Sequence, residues 1–304
     1  MFKNIVTLVL TLYSINSFSA QEIWFSPNKS NDVANPTSIT SWENSRKKIS
    51  VYSFYYQVIL QSTPENLKRK LTFLRQNGIK IAIEFPGLTW VENGVGYRIE
   101  GFQKEGFSKK IIAKFQSISE KPDYIILDEP FYFGHVKKGS NYPSYDQLTL
   151  AEKIKENIDP LYKVFPEIKV GEVEPINKVY HESSDFSQWP NTFYEVTGKN
   201  IAFIHADVTW GKEWRKPLKF LANMADKNKF RYGVIFNSSD AKASEDKWMN
   251  SVRDNITKYV NSDIPAAQNI IFQSWNKNPQ IIFEDANPNA FSSAIIYYSN
   301  KMKY

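Results

Sequence analysis

At 304 residues, 42% hydrophobic and 15% aromatic, the chain is long enough to bury one large core, and no Gly-, Ser- or Pro-rich linker divides it into two domains. The 38 Lys and Arg against 32 Asp and Glu leave a net charge of +6 without any long basic run, a pattern that argues against a nucleic-acid partner. No cysteine is present, which excludes disulfides, thiol catalysis and a lipid-modified cysteine.

The first residues read as an export signal. Met1-Phe2-Lys3-Asn4 is a short positive start, Ile5 to Tyr13 is an apolar core too short to span a bilayer, and Ser17-Phe18-Ser19-Ala20 supplies small residues for cleavage. Residues 1–20 are therefore expected to be a signal peptide and 21–304 a secreted or periplasmic domain with no stable membrane anchor. In that domain Ile23-Trp24-Phe25 reads as a first strand and Ile49 to Tyr56 as a second. Thr63 and Pro64 open a helix with Leu67, Leu71 and Leu74 on one face, and Asn77-Gly78 closes it. The basic triplets Arg46-Lys47-Lys48 and Lys68-Arg69-Lys70 read as solvated helix faces. Ile79 to Phe85 is a third strand, and Phe107 to Ser119 a helix with Ile111, Ile112 and Phe115 as its buried stripe.

The fourth strand is Tyr124-Ile125-Ile126-Leu127, which runs directly into Asp128-Glu129-Pro130. A segment apolar on both faces suits a parallel sheet covered by helices, and the proline stops the ladder just past the two acids. Ser144 with Gln147 resembles a capping box for a helix through Phe165, ended by Pro166. Ile168 to Glu174, Ile201 to Val208, Phe230 to Asn237 and Asn269 to Trp275 continue the strand series. Between and after them, Trp248, Val252, Ile256 and Tyr259 mark a helix from Ser244, and Ala290 to Tyr298 a last one. Eight strands alternating with helices, without a Gly-rich dinucleotide or phosphate loop, predict a single-domain α/β fold of the (β/α)8, or TIM, barrel type.

In such a barrel, chemistry belongs at the C-terminal ends of the strands. If the apolar face of each strand packs on helices, the polar face points into the mouth. That alternation aims His205 and Asp207 inward on the sixth strand, Glu172 and Glu174 on the fifth, and Glu84 on the third. Asn237 ends the seventh strand and Trp275 the eighth; for Asp128 and Glu129 alternation leaves the direction open. Carboxylates crowded in a partly dry pocket cannot all ionise freely, so one of them should retain a proton near neutral pH. Glycoside hydrolysis uses this division, one carboxylic acid protonating the leaving oxygen while a carboxylate supports the sugar cation or activates water. Trp90, Tyr97, Tyr132, Trp210 and Trp275 follow strand ends, where flat aromatic faces suit sugar rings. Arg98 pairs with Glu84 or holds an acidic sugar.

Asp128-Glu129-Pro130 together with Trp275 resembles the strand-four and strand-eight ends of the (β/α)8 glycoside hydrolases of clan A, whose acid/base glutamate follows an asparagine. The resemblance implies that Glu129 is the acid/base. Two positions depart from it: Asp128 replaces the asparagine, and Asn237 stands where that clan places its nucleophilic glutamate. Two mechanisms remain, Glu129 working with Glu174 or Asp207, or an Asp128-Glu129 pair resembling that of substrate-assisted hexosaminidases. The expected partner is a polysaccharide or oligosaccharide substrate. A non-catalytic carbohydrate-binding or scaffold protein on the same barrel is the alternative. With only His135, His181 and His205 and no cysteine, neither a transition metal nor a cofactor is expected, which leaves an oxygen-ligated Ca²⁺ as the open metal alternative.

Overall fold

The computed structural model describes residues 21–28, 33–36 and 38–302, so the leader assigned to residues 1–20 lies outside the described residues. Eight parallel strands close into a barrel: β1 (Glu22–Ser26), β2 (Val51–Tyr55), β3 (Lys80–Phe85), β4 (Tyr124–Asp128), β5 (Lys169–Pro175), β6 (Phe203–Asp207), β7 (Arg231–Phe236) and β8 (Asn269–Gln273). Each strand pairs with its neighbour in sequence, and β8 returns to β1 with Trp24 opposite Ile271. The single-domain (β/α)8 expectation holds.

Local sequence accounts for several helix boundaries. Thr63 accepts a hydrogen bond from the Asn66 amide and Pro64 takes the first helical position, so Pro64–Gln76 starts where the sequence predicts, with Leu67, Leu71 and Leu74 fully buried. The helix Gln147–Val164 is capped differently. Asp146, rather than Ser144, accepts the Thr149 amide at 2.7 Å, because Ser144 sits at φ +49°, outside the extended conformation an N-cap needs. The helices Trp189–Thr197 and Arg215–Asn228 carry less distinct sequence signals and are resolved only by the fold. The basic triplets are not simply solvated: Lys70 is buried, and the buried Arg46 guanidinium lies over the Trp42 and Phe73 rings and donates to Asn77 Oδ1.

Alternation along the strands divides the core in two. Trp24, Val51, Ala82, Tyr124, Ile126, Val173, Phe203, Ile235 and Ile271, at least one from each strand, pack inside the barrel. The opposite faces join the helices in a larger outer core. Inside, Trp24 meets Tyr124, Phe203 and His205 at ring-centroid distances of 4.9, 5.1 and 4.8 Å, and these rings plug the lower barrel. Gly233 makes room for them, since a Cβ there would lie 2.6 Å from the His205 ring. The plug forms a floor; everything polar above it opens towards the strands' C-terminal ends.

Candidate active site

Above this floor lies a cavity of about 440 Å³, lined by five carboxylates, Glu84, Glu100, Asp128, Glu129 and Asp207, and one cation, Lys178. Asp128 belongs to the inward set of β4 with Tyr124 and Ile126. Glu129 follows it immediately and would point outward in regular strand geometry. Its φ of +46° turns the chain instead, so that both adjacent acids line the same cavity. A non-glycine residue in this left-handed region costs about 1–3 kcal/mol unless its surroundings hold it. Here they do: the Glu129 amide donates to the Val173 carbonyl on β5 at 3.1 Å.

On the third strand, Glu84 accepts a 2.6 Å hydrogen bond from Gln273, and the same Gln273 amide reaches the Tyr55 hydroxyl at 3.4 Å. Arg98 does not pair with Glu84. It is exposed and lies over the Tyr97 ring at 5.1 Å. On the sixth strand, Asp207 lines the cavity and accepts from Asn237 at 3.4 Å, which gives the end of β7 a supporting place beside the acid. Trp275 is 49% exposed at the rim, with Tyr55, Tyr56, Phe102 and Phe133 completing the aromatic wall.

Several expected site residues lie elsewhere. Glu174 is fully buried on the helix side of β5, its two carboxylate oxygens accepting the Phe131 and Tyr132 amides at 2.7 and 3.0 Å. Glu172 shares that face and accepts from the Trp189 indole at 3.0 Å. On this strand the polar face thus points outward and Val173 inward. Val170, Glu172 and Glu174 do share a face, but it is turned towards the helix layer, where the Trp189 indole and the Phe131 and Tyr132 amides meet the two carboxyl groups. His205, 1% exposed, is part of the aromatic plug, 3.0 Å from the Asn269 amide nitrogen, and burial lowers its pKa to about 3. Trp210 is stacked on Phe236 and donates to the Ile235 carbonyl. Trp90 and Tyr97 pack edge to face at 5.4 Å, and buried Tyr132 lies beneath Lys178 at 4.9 Å. These rings pack on neighbouring groups rather than lining the cavity themselves. Conversely, Tyr55, Glu100 and Lys178 line it without any sequence signal beyond proximity to strand ends.

The carboxylates are electrostatically coupled. Desolvation raises Glu84 to about 8, despite the Gln273 hydrogen bond, with the charges of Glu100 and Asp207 adding to it. Asp128 and Glu129 are both pushed well above the usual carboxylate range, first by desolvation and then by neighbouring acids, of which Asp207 weighs most on Glu129. Asp207 rises to about 6 by desolvation, held back by the Asn237 hydrogen bond and by Lys178. Because the folded state holds these protons more tightly than the unfolded chain, their contribution to stability is complete below about pH 4 and is lost as pH rises through the folded pKa values. The melting temperature should therefore fall between about pH 5 and pH 8.5. A melting temperature that is flat or rising over that window would contradict the burial of these acids. Among the described residues no group of three or more His, Cys, Asp or Glu side chains is arranged to hold a metal, and no helix is long and apolar enough to cross a membrane.

The sequence matches no known protein-family model and no curated protein. Solved structures do resemble it. Xylanase 10B from Thermotoga maritima superposes with a TM-score of 0.57 at 12% identity, covering 94% of this chain and 97% of that one. The chain has a TIM-barrel fold. A fungal β-1,4-galactanase aligns at 0.52 with 8% identity, over 92% of this chain and 100% of that one. D-psicose 3-epimerase aligns at 0.50 with 9% identity, over 93% and 97%. The likeness thus spans glycosidases and an epimerase, and at these identities it concerns the architecture of the barrel alone.

Proposed function

We propose that the chain is an exported glycoside hydrolase in which Glu129 is the general acid and Asp207 the partner carboxylate. The observation that carries this reading is the pairing of two acids in one cavity with unequal support for their charges. Asp207 has the Asn237 amide as donor, whereas no hydrogen bond from a described side chain holds the Glu129 carboxylate. Asp207 therefore ionises first and Glu129 keeps its proton, the division of labour that glycosidic cleavage requires. The aromatic wall at Tyr55, Phe133 and half-exposed Trp275 supports a glycan substrate. Five carboxylates against one lysine favour neutral or amino sugars over acidic ones.

The test is reducing-end release by the protein lacking residues 1–20, across neutral, N-acetylated and acidic glycans at a series of pH values. Activity should follow a bell-shaped profile whose rising limb lies near pH 6, set by Asp207, and whose falling limb marks loss of the Glu129 proton. Asp207→Asn should remove the rising limb and most of the activity. Release confined to N-acetylated substrates would assign Asp128 the role of orienting the acetamido group. The second reading, a non-catalytic glycan-binding protein, draws on Asn237 at the end of the seventh strand, where a catalytic glutamate is absent. Glycan binding without release from any substrate would favour it.

A further inference from the structure

Glu174 is a buried ionisable group that the proposed chemistry does not use, and its hydrogen bonds define what it does. Between Glu129 and Phe133 every backbone amide has a fixed partner. The Glu129 amide goes to the Val173 carbonyl at 3.1 Å, Pro130 has none to offer, and the Phe133 amide closes back on the Glu129 carbonyl at 3.1 Å. The two amides in the middle, Phe131 and Tyr132, both end on the Glu174 carboxylate. Consecutive β5 residues, Val173 and Glu174, therefore hold the turn that carries Glu129, one through its backbone and the other through its side chain. This turn leads into the π-helical segment Tyr132–Val136, and the carboxyl group takes the first amide of that segment together with the Phe131 amide just before it. Glu174 is fully buried and does not line the cavity, although it feels the charge of Glu129, which does.

We infer that Glu174 is a positioning residue for Glu129: by gathering the Phe131 and Tyr132 amides it fixes the left-handed backbone that turns the Glu129 side chain into the cavity. The inference rests on the hydrolase reading for its consequence in activity, although not for its structural content. Without the clamp, two buried amides lose their acceptor and Glu129 can relax towards an extended conformation, away from Asp207. Glu172 provides the internal control. It is equally buried on the same strand face, but its carboxylate accepts from the Trp189 indole in the helix layer.

The experiment compares Glu174→Gln with Glu172→Gln by following the Glu129 carboxyl carbon in a pH titration by NMR, alongside kcat, KM and the melting temperature. Gln at position 174 retains one acceptor and places an amide against the other N–H. The expected result is that Glu174→Gln displaces the Glu129 titration midpoint by about one pH unit and lowers kcat about 10²-fold with KM nearly unchanged. Glu172→Gln should lower the melting temperature while leaving the Glu129 titration and kcat in place. If Glu174→Gln does not fold, Glu174→Asp keeps the carboxyl group but withdraws it by one methylene, and the same displacement is expected. A Glu129 titration unmoved in the folded Glu174 variants, or moved equally by Glu172→Gln, overturns the inference. A displaced titration in a protein that cleaves no glycan leaves the inference standing and removes the hydrolase reading instead.

Discussion

Glu129→Gln is expected to lower kcat by about 10²–10⁴-fold, the span typical of losing a positioned general acid, while leaving the fold and glycan affinity close to those of the parent. The amide has the same shape and lines the same cavity, so contacts to the substrate persist. It carries no transferable proton, so the leaving oxygen must depart as an anion. Two further signs separate this cause from a merely damaged site. The loss should shrink for substrates whose leaving group is already a weak base, because protonation then matters less, and the falling limb of the pH profile should disappear with the group that titrates it. The melting temperature at neutral pH should hold or rise, since the substitution removes an acid that burial and the charges of Asp207 and Glu100 disfavour. Reducing-end release on natural and activated glycosides measures the first sign and thermal unfolding the last. Unchanged release from the natural substrate would remove Glu129 from the chemistry.

Gly101→Ala is expected to be the most damaging single-methyl change near the cavity. Gly101 has φ +78°, and a Cβ there would lie 2.2 Å from the Asp128 carbonyl oxygen, a backbone atom at the end of β4. That oxygen cannot withdraw without disturbing the strand. The Gly101 backbone also donates to the Asp128 carboxylate, and its carbonyl accepts the Leu88 amide at 3.0 Å, joining the short parallel pair Leu88–Thr89 and Phe102–Gln103 above the mouth. Strain at positive φ and the forced backbone shift together suggest a cost of about 2–4 kcal/mol, or a melting temperature lower by about 5–10 °C. Because Glu100 precedes this glycine and Asp128 faces it, activity should fall with stability. Thermal unfolding and reducing-end release read both effects, and a Gly101→Ala protein with the parent's melting temperature would show that the close approach is not rigid.

How much of this was legible in the chain differs from residue to residue. The eight strands, the barrel and the placing of Asp128 and Glu129 at its mouth follow from local pattern, because an apolar run broken by acid, acid and proline admits few alternatives. Thr63 capped its helix as composition predicted, whereas Ser144 lost that role to Asp146 for want of the right backbone angle. Inward and outward proved harder. Alternation groups Val170, Glu172 and Glu174 on one face as expected, but the expectation that this face points inward fails: both acids meet N–H donors in the helix layer. The donors are the Trp189 indole and the Phe131 and Tyr132 amides, remote in sequence or hidden in a turn. The aromatics behaved alike: Trp90, Tyr97 and Trp210 are near strand ends in sequence, but each ring found another ring or a carbonyl to pack on. The sequence by itself determined the strand periodicity, the helix stripes and the excess of acids at strand ends, all set by neighbours within a few positions. Only the tertiary structure decided which acids share one cavity, because side-chain direction, desolvation and mutual charge arise from residues brought together by closure of the barrel.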